Sequence, residues 1–321
     1  MNLISIVTPC YNEQDNVAEA HRCVREIMAG IADADYEHIF IDNASTDHTV
    51  AILRGIAATD PKTRLIINAR NFGSLRSPYH AILEASGDAV ILLVADLQDP
   101  PDLIPEFIAR WRAGAKVVVG VKSGSQESPA MFAIRRAYYG LLSSMGEHAL
   151  IQNFSGFGLY DRQMVAALRR MRDPSPYLRG LISEVGFEPS VVEYMQSSRK
   201  RGITSNNFYS LYDIAMLGIT SHTKIPLRLA TMGGFLLSLV SLLIAVVYFF
   251  LKIFFWNEFS MGTAPILIGL FFFSSVQLFF VGMLGEYIAA IHTRVMNRPL
   301  VVERERVNFP EEKSDAGQRH D

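Results

Sequence analysis

Apolar and polar positions alternate in blocks over the first 120 or so residues. Short, branched apolar runs predict strands at Leu3–Thr8, Tyr36–Ile41, Arg64–Asn68, Ala89–Ala95 and Lys116–Val121. The stretches between them carry helical spacing and predict helices at 17–28, 74–85 and 102–113, with a helix start near Asp47. Gly87 is expected to close the second of these helices. This βαβα rhythm predicts an α/β fold, a mostly parallel sheet with helices on both faces and right-handed crossovers.

The pattern changes after Ser123. A polar loop, Ser123–Pro129, precedes an irregular region that runs to Gln196. Within it, 132–150 is amphipathic and suited to lying along a membrane surface. Phe208, Leu211, Tyr212, Ala215 and Ile219 recur at helical spacing, so 207–220 reads as an interfacial helix. Two stretches without a charged residue follow, Leu229–Leu251 and Phe259–Gly285. Each exceeds the roughly 20 residues that cross a bilayer. Lys224 and Arg228 precede the first, and Arg294 and Arg298 follow the second, which predicts both ends in the cytoplasm. Gln277 and Glu286 are polar groups at or near the second span, placed to pair between helices or to receive a lipid head group. Gly233, Gly234, Gly282 and Gly285 are small enough to let helices pack closely. The end of the chain, 310–321, is polar and is expected to be disordered.

Composition narrows the classes. A length of 321 residues fits one large domain with an appendage, or two domains. A net charge of −2 argues against a nucleic-acid binder. Cys10 and Cys23 form no disulfide framework or metal spacing, consistent with a reducing cytosolic face. The eight histidines are scattered. Met1-Asn2-Leu3 leads directly into a strand, so no signal peptide is expected. Neither a Gly-x-Gly-x-x-Gly turn nor a Gly-Lys-Ser/Thr loop is present.

The candidate chemistry sits at the strand ends. Polar groups follow each predicted strand: Tyr11, Asn12 and Glu13 after the first, Asp42 after the second, Arg70 and Asn71 after the third, Asp96 after the fourth. Parallel strands bring such tips to one edge, where α/β sheets bind ligands. Asp96 and Gln98, two residues apart before Pro100-Pro101, suit a hard cation carrying a diphosphate. The plainer reading of that segment is a capping loop, with Asp99 as the cap of helix 102–113.

Four blocks carry a family resemblance: Thr8-Pro9-Cys10-Tyr11-Asn12-Glu13, Ile41-Asp42-Asn43-Ala44-Ser45, Asn68-Ala69-Arg70-Asn71-Phe72-Gly73 and Ala95-Asp96-Leu97-Gln98-Asp99-Pro100-Pro101. They resemble the family-2, GT-A-fold glycosyltransferases. The nearer branch charges a polyprenyl phosphate with one sugar, as bactoprenol glucosyltransferases and dolichol-phosphate mannose synthases do. The resemblance implies that Pro9, Tyr11, Glu13, Asp42 and Arg70 bind the nucleotide-sugar, and that Asp96 and Gln98 hold Mg²⁺ or Mn²⁺ on its diphosphate. It places Lys122, Arg199 and Arg201 near the same diphosphate, and Asp161, from Phe154 to Arg162, before the acceptor phosphate. Catalytic roles then fall to Asp96, Asp161 and Arg201. Read without the resemblance, Lys122 is a solvated loop lysine, Asp161 is the N-cap of helix 163–170, and 199–201 is a juxtamembrane basic cluster. The chain departs from the family pattern at Val94, where an aspartate is usual, and at Ser205, where a lysine is common.

The implied organisation is a cytoplasmic GT-A domain at 1–205, an interfacial helix at 206–222, two transmembrane helices within 226–293 (spans about 229–251 and 262–286), and a cytoplasmic tail at 294–321. The implied function is inverting transfer of a single hexose from a UDP-sugar such as UDP-glucose to undecaprenyl phosphate at a bacterial inner membrane. A homotetramer is the assembly the family suggests. Two rivals remain open: a processive polysaccharide synthase, and an inactive membrane scaffold that kept the fold.

Overall fold

The computed structural model describes residues 1–124, 151, 153–196, 225–254 and 263–310. The expected surface helices at 132–150 and 207–220, the basic turn at 199–201 and the polar end beyond 310 lie outside them. The chain divides into two compact units.

The first unit is a single eight-stranded sheet. Its strands are β1 (Asn2–Cys10), β2 (Ala34–Asp42), β3 (Thr63–Asn68), β4 (Ala89–Leu92), β5 (Val117–Gly124), β6 (Phe154–Asp161), β7 (Pro189–Met195) and β8 (Glu303–Val307). Their spatial order is β7-β5-β6-β4-β1-β2-β3-β8. The four N-terminal strands pair in parallel, as the apolar runs predicted. Ile4, Ile6 and Val7 on β1 are buried on both faces, as a central parallel strand requires.

Helices cover both faces: α1 (Val17–Ala29), α2 (Thr49–Thr59), α3 (Gly73–Glu84), α4 (Ile104–Arg112), α5 (Arg162–Met171) and α6 (Leu178–Val185). On α1 the buried residues are Val17, Ala20, His21, Val24 and Met28, a stripe at steps of three and four. The predicted helix 102–113 starts instead as one 3₁₀ turn, Pro101–Leu103, before α4. Proline at such a start costs nothing, because its missing N–H would be unpaired there.

The sheet is mostly parallel, as expected, but mixed: among the described residues four of its seven strand pairings are parallel and three antiparallel. Strand β6 runs antiparallel to both β4 and β5, and β7 runs parallel to β5. Sequence periodicity missed β6 because Gly156 and Gly158 interrupt it. Gly158 lies against the backbone of β5, where a Cβ would collide with the carbonyl of Val118. Strand β8 was missed as well. Within the stretch 294–321 expected as a tail, residues 303–307 form a strand of the sheet, with Leu65 to Asn68 pairing antiparallel to Val307 back to Glu303.

Among its described residues the second unit holds two long helices, α7 (Ile225–Phe254, 30 residues) and α8 (Thr263–Val295, 33 residues). At 1.5 Å per residue each spans roughly 45–50 Å. Phe235, Leu236 and Leu243 on α7 and Leu278, Phe279 and Ile288 on α8 are all exposed. Among the described residues one stretch, Phe272–Val295, is long and apolar enough to cross a membrane, with mean hydropathy 1.4. A Cβ at Gly233 would lie 3.6 Å from the ring of Phe280, so α7 and α8 approach closely there.

Candidate active site

The strand order makes β4, β1 and β2 neighbours, so their C-terminal ends meet at one edge. Cys10 lies opposite Asp42 in the ladder, and the amide of Asn43 donates to the Cys10 carbonyl at 3.0 Å. On the other side of β1, the amide of Leu93 donates to the carbonyl of Val7 at 2.9 Å. The registers therefore bring Pro9, Tyr11, Glu13, Asp42, Asp96 and Gln98 to a common edge.

Side-chain hydrogen bonds lace the loops after β1 and β2 together. The amide of Asn12 donates to Ser45 Oγ at 2.9 Å, and Asn12 Oδ1 accepts from the amide of Thr46 at 2.8 Å. Asn12 has φ 55, an αL turn that asparagine tolerates. The amide of Glu13 donates to Thr49 Oγ1 at 2.9 Å, while its carboxylate accepts from Asn16 Nδ2 at 2.5 Å. Asp42 is 1% exposed and accepts from the amide and hydroxyl of Ser45. Burial pushes the Asp42 carboxyl above its ordinary range, against the pull of those Ser45 bonds. Tyr11 is exposed, leaving its ring open above this edge. An aromatic face beside buried acceptors suits a heterocyclic base and its ribose.

The β4 tip is built differently. The strand ends at Leu92, and Leu97 takes φ 53, which turns the chain between Asp96 and Gln98. Asp96 Oδ1 accepts from the amide of Gln98 at 3.2 Å. Asp99 does not cap the following helix, which has no side-chain cap. It is 3% exposed and accepts from Tyr194 Oη on β7 and from Ser155 Oγ on β6, the latter at 3.4 Å. Burial raises the Asp99 carboxyl, and the charges of Lys122 and Asp96 both reach it. Lys122 on β5 therefore belongs to this corner. Sequence reasoning missed Asp99 as a structural centre, because its partners come from strands it had not recognised.

One expected residue, Asp161, stands elsewhere. Asp161 lies opposite Ala89, at the start of β4 rather than its end, so it is at the opposite edge of the sheet from Asp96. There it caps α5, accepting from the amide of Gln163 at 2.8 Å, and it also accepts from Trp111 Nε1 at 2.7 Å and Lys116 Nζ at 3.4 Å. The capping reading of Asp161 is the one these hydrogen bonds show. Arg70 follows β3 in a turn tied to the β2 tip, where Asn43 Nδ2 donates to Asn71 Oδ1 at 2.8 Å and the amide of Phe72 donates to Asn43 Oδ1 at 2.9 Å. It lines a cavity with Phe72 and Arg76. Arg199 and Arg201 fall outside the described residues.

Glycosyl transferase family 2 matches residues 5–173, which contain every strand tip just described. The chain belongs to that family. As a family-2 member it is a glycosyltransferase, and its sheet is GT-A-like. YkcC of Bacillus subtilis (strain 168), an uncharacterized glycosyltransferase, is 33% identical over 300 residues, covering 93% of this chain and 92% of the relative. The SfII prophage-derived bactoprenol glucosyl transferase of Shigella flexneri is 32% identical over 297 residues, covering 92% and 96%. A prophage bactoprenol glucosyl transferase homolog of Escherichia coli (strain K12) is 30% identical over the same coverage.

A divalent cation in this glycosyltransferase would have few protein ligands. Among the described residues no group of three or more His, Cys, Asp or Glu side chains is placed to hold one. Asp99 is committed to Tyr194 and Ser155, and Val94 supplies no oxygen. Asp96 and Gln98 offer a carboxylate and an amide oxygen at the same tip. That donor set fits Mg²⁺ or Mn²⁺, which take one or two carboxylates and complete their shells with water and substrate phosphates.

Proposed function

We propose that the protein transfers one hexose from a UDP-sugar, such as UDP-glucose, to undecaprenyl phosphate, with inversion at the anomeric carbon. The product is a polyprenyl-phosphate sugar for cell-envelope glycan or lipid modification. The observation that carries this reading is the union of two parts in one chain. A nucleotide-type site at three neighbouring strand tips is followed by two long helices, of which the stretch Phe272–Val295 is long and apolar enough to cross a membrane, and the likeness to bactoprenol glucosyl transferases covers 92% of the chain.

In this reading Tyr11, Glu13 and Asp42 hold the nucleoside and Asp96 and Gln98 hold the cation. The cation supplies positive charge against the departing diphosphate. Lys122, with Arg199 and Arg201, supports the same charge. The lipid phosphate is already ionised near neutral pH, so its oxygen attacks the anomeric carbon without a strong general base. One carbon–oxygen bond to the lipid phosphate forms as the bond to the nucleoside diphosphate breaks. Asp161, at the far edge, takes no part. The helices α7 and α8 span the bacterial inner membrane twice, leaving both termini in the cytoplasm and the site within reach of a lipid phosphate.

The test is a donor screen with the purified full-length chain, undecaprenyl phosphate and Mg²⁺ or Mn²⁺, reading the lipid product by mass. One hexose per lipid with release of a nucleoside diphosphate is expected. A ladder of lipid-linked oligosaccharides would establish the processive rival. Release of a nucleoside monophosphate would overturn the reaction. Absence of product with every UDP-, GDP- and dTDP-hexose would favour the inactive scaffold.

A further inference from the structure

One buried amide ties the tip of β2 to the turn that follows β3. Asn43, the residue after Asp42, is 7% exposed. An asparagine side chain carries two N–H donors and two acceptor lone pairs. Here all four are used. Nδ2 donates to Asn71 Oδ1 at 2.8 Å and to the carbonyl of Gly73 at 3.2 Å. Oδ1 accepts from the amide of Phe72 at 2.9 Å and from Asn68 Nδ2 at 3.2 Å. Its backbone amide adds the bond to the Cys10 carbonyl, so the ends of β1, β2 and β3 meet on one residue. The orientation of the amide is set by its backbone partners, since the Phe72 N–H can only donate and the Gly73 carbonyl can only accept.

The turn that Asn43 holds carries Arg70. The guanidinium carbon of Arg70 lies 4.0 Å from the Phe72 ring centroid, and its Nη1 donates to the Asn71 carbonyl at 3.0 Å. Phe72 and Asn71 are both bonded to Asn43. The helix that follows, α3, begins at Gly73 with no side-chain cap of its own. Gly73 has φ 89, a conformation open chiefly to glycine. Ala69, Arg70, Asn71 and Gly73 are exposed, so burial does little to fix this turn. The reach of Asn43 from the neighbouring strand tip does it instead. A stacked and hydrogen-bonded guanidinium has also lost its rotamer freedom before any ligand arrives.

With its four positions occupied, the Asn43 side chain has none left for a nucleotide. Any effect it has on the donor must pass through what it holds.

We propose that Asn43 is a positioning residue of the donor site: by fixing the turn after β3 it presents Arg70 to the nucleotide beside Asp42. This role rests on the reading of that edge as the donor site.

Calorimetric binding of UDP in the presence of Mn²⁺ tests it on the purified full-length chain in four forms: parent, Asn43→Ala, Arg70→Gln and the double variant. Each is measured below its own melting transition. Arg70→Gln should weaken UDP binding by about tenfold, as the loss of a charged contact does. Asn43→Ala should weaken it by a similar factor, and the double variant should bind no worse than Arg70→Gln alone. A loss of stability by itself would not produce that non-additivity. If Asn43→Ala does not fold, Asn71→Ala takes its place in the same cycle, because that side chain is exposed and accepts one of the Asn43 bonds. Losses that add in the double variant overturn the proposal, since Asn43 would then act through Asp42 or the fold at large. Unchanged affinity in either single variant overturns it too. In both cases a parent that binds UDP leaves the donor site standing. A parent that binds none of UDP, GDP and dTDP removes the donor site, and this role with it.

Discussion

The phenol of Tyr194 donates to Oδ1 of Asp99, tying the loop after β4 to β7 across 95 residues of chain. Ser155 on β6 donates to the other oxygen. A carboxylate buried to 3% exposure is thus satisfied by two hydroxyls from two strands. The loop it anchors carries Asp96 and Gln98.

Tyr194→Phe removes one donor and leaves Asp99 under-satisfied. The expected cost is about 1–3 kcal/mol of stability. The apparent affinity for Mg²⁺ or Mn²⁺ should fall as well, because the anchor holds the loop of the metal ligands. Thermal melts with and without metal and UDP measure both. A lowered Tm with unchanged metal dependence would mean the contact is only structural.

Asp96→Asn should abolish turnover while the melting temperature stays close to the parent value. With Val94 in the position of a second acid, Asp96 is the one carboxylate of the proposed cation site. Val94→Asp should keep or raise metal affinity, read from the metal concentration giving half-maximal rate. A fully active Asp96→Asn enzyme would show that the site is elsewhere.

Asp161→Ala separates capping from catalysis. It removes the acceptor for the Gln163 amide and for the Trp111 indole. Loss of an N-cap costs roughly 0.5–2 kcal/mol, and an unpaired, partly buried indole adds to it. Turnover per folded molecule should be unchanged. A collapse of kcat at full stability would restore the catalytic assignment.

His38 predicts an acid-sensitive fold. It is fully buried on β2, with Nε2 2.9 Å from Thr8 Oγ1 and, among the described residues, no partner for Nδ1. Burial pushes its pKa down to about 3, with the nearby His21 acting in the same direction. The unfolded chain takes up a proton near pH 6.5, whereas the folded one does not until about pH 3. Stability should therefore fall as pH drops from about 6.5 toward 3, by up to roughly 4 kcal/mol from this group. His38→Leu should flatten the acid limb of a plot of Tm against pH. An unchanged limb would assign the acid sensitivity to other groups.

Local pattern was enough for much of this molecule. Ile4, Ile6 and Val7 sit in an unbroken apolar run, and the stripe on α1 recurs at helical spacing, so strand and helix types follow from burial that neighbours in sequence share. The positions of Tyr11, Asp42 and Asp96 at strand ends were readable for the same reason, since parallel strands with helical crossovers place their C-terminal ends together. The apolar stretches of α7 and α8 were equally plain, because a run without charge needs no partner to be recognised.

Tertiary structure alone decided the rest. Strand β6 carries glycines where β5 approaches it, and β8 is a charged edge strand, so neither has the apolar signature of a strand. Both are strands because distant partners accept their hydrogen bonds, and hydrogen-bond partnership across long loops leaves no period in the sequence. The direction of β6 then set Asp161 at the opposite edge from Asp96, and the arrival of β7 gave Asp99 its partner. The return of β8 brought Arg298 to Arg70 and Arg76, more than two hundred residues earlier in the chain. Sequence set which residues could do chemistry at a strand tip; strand direction and edge pairing decided which of them share a site.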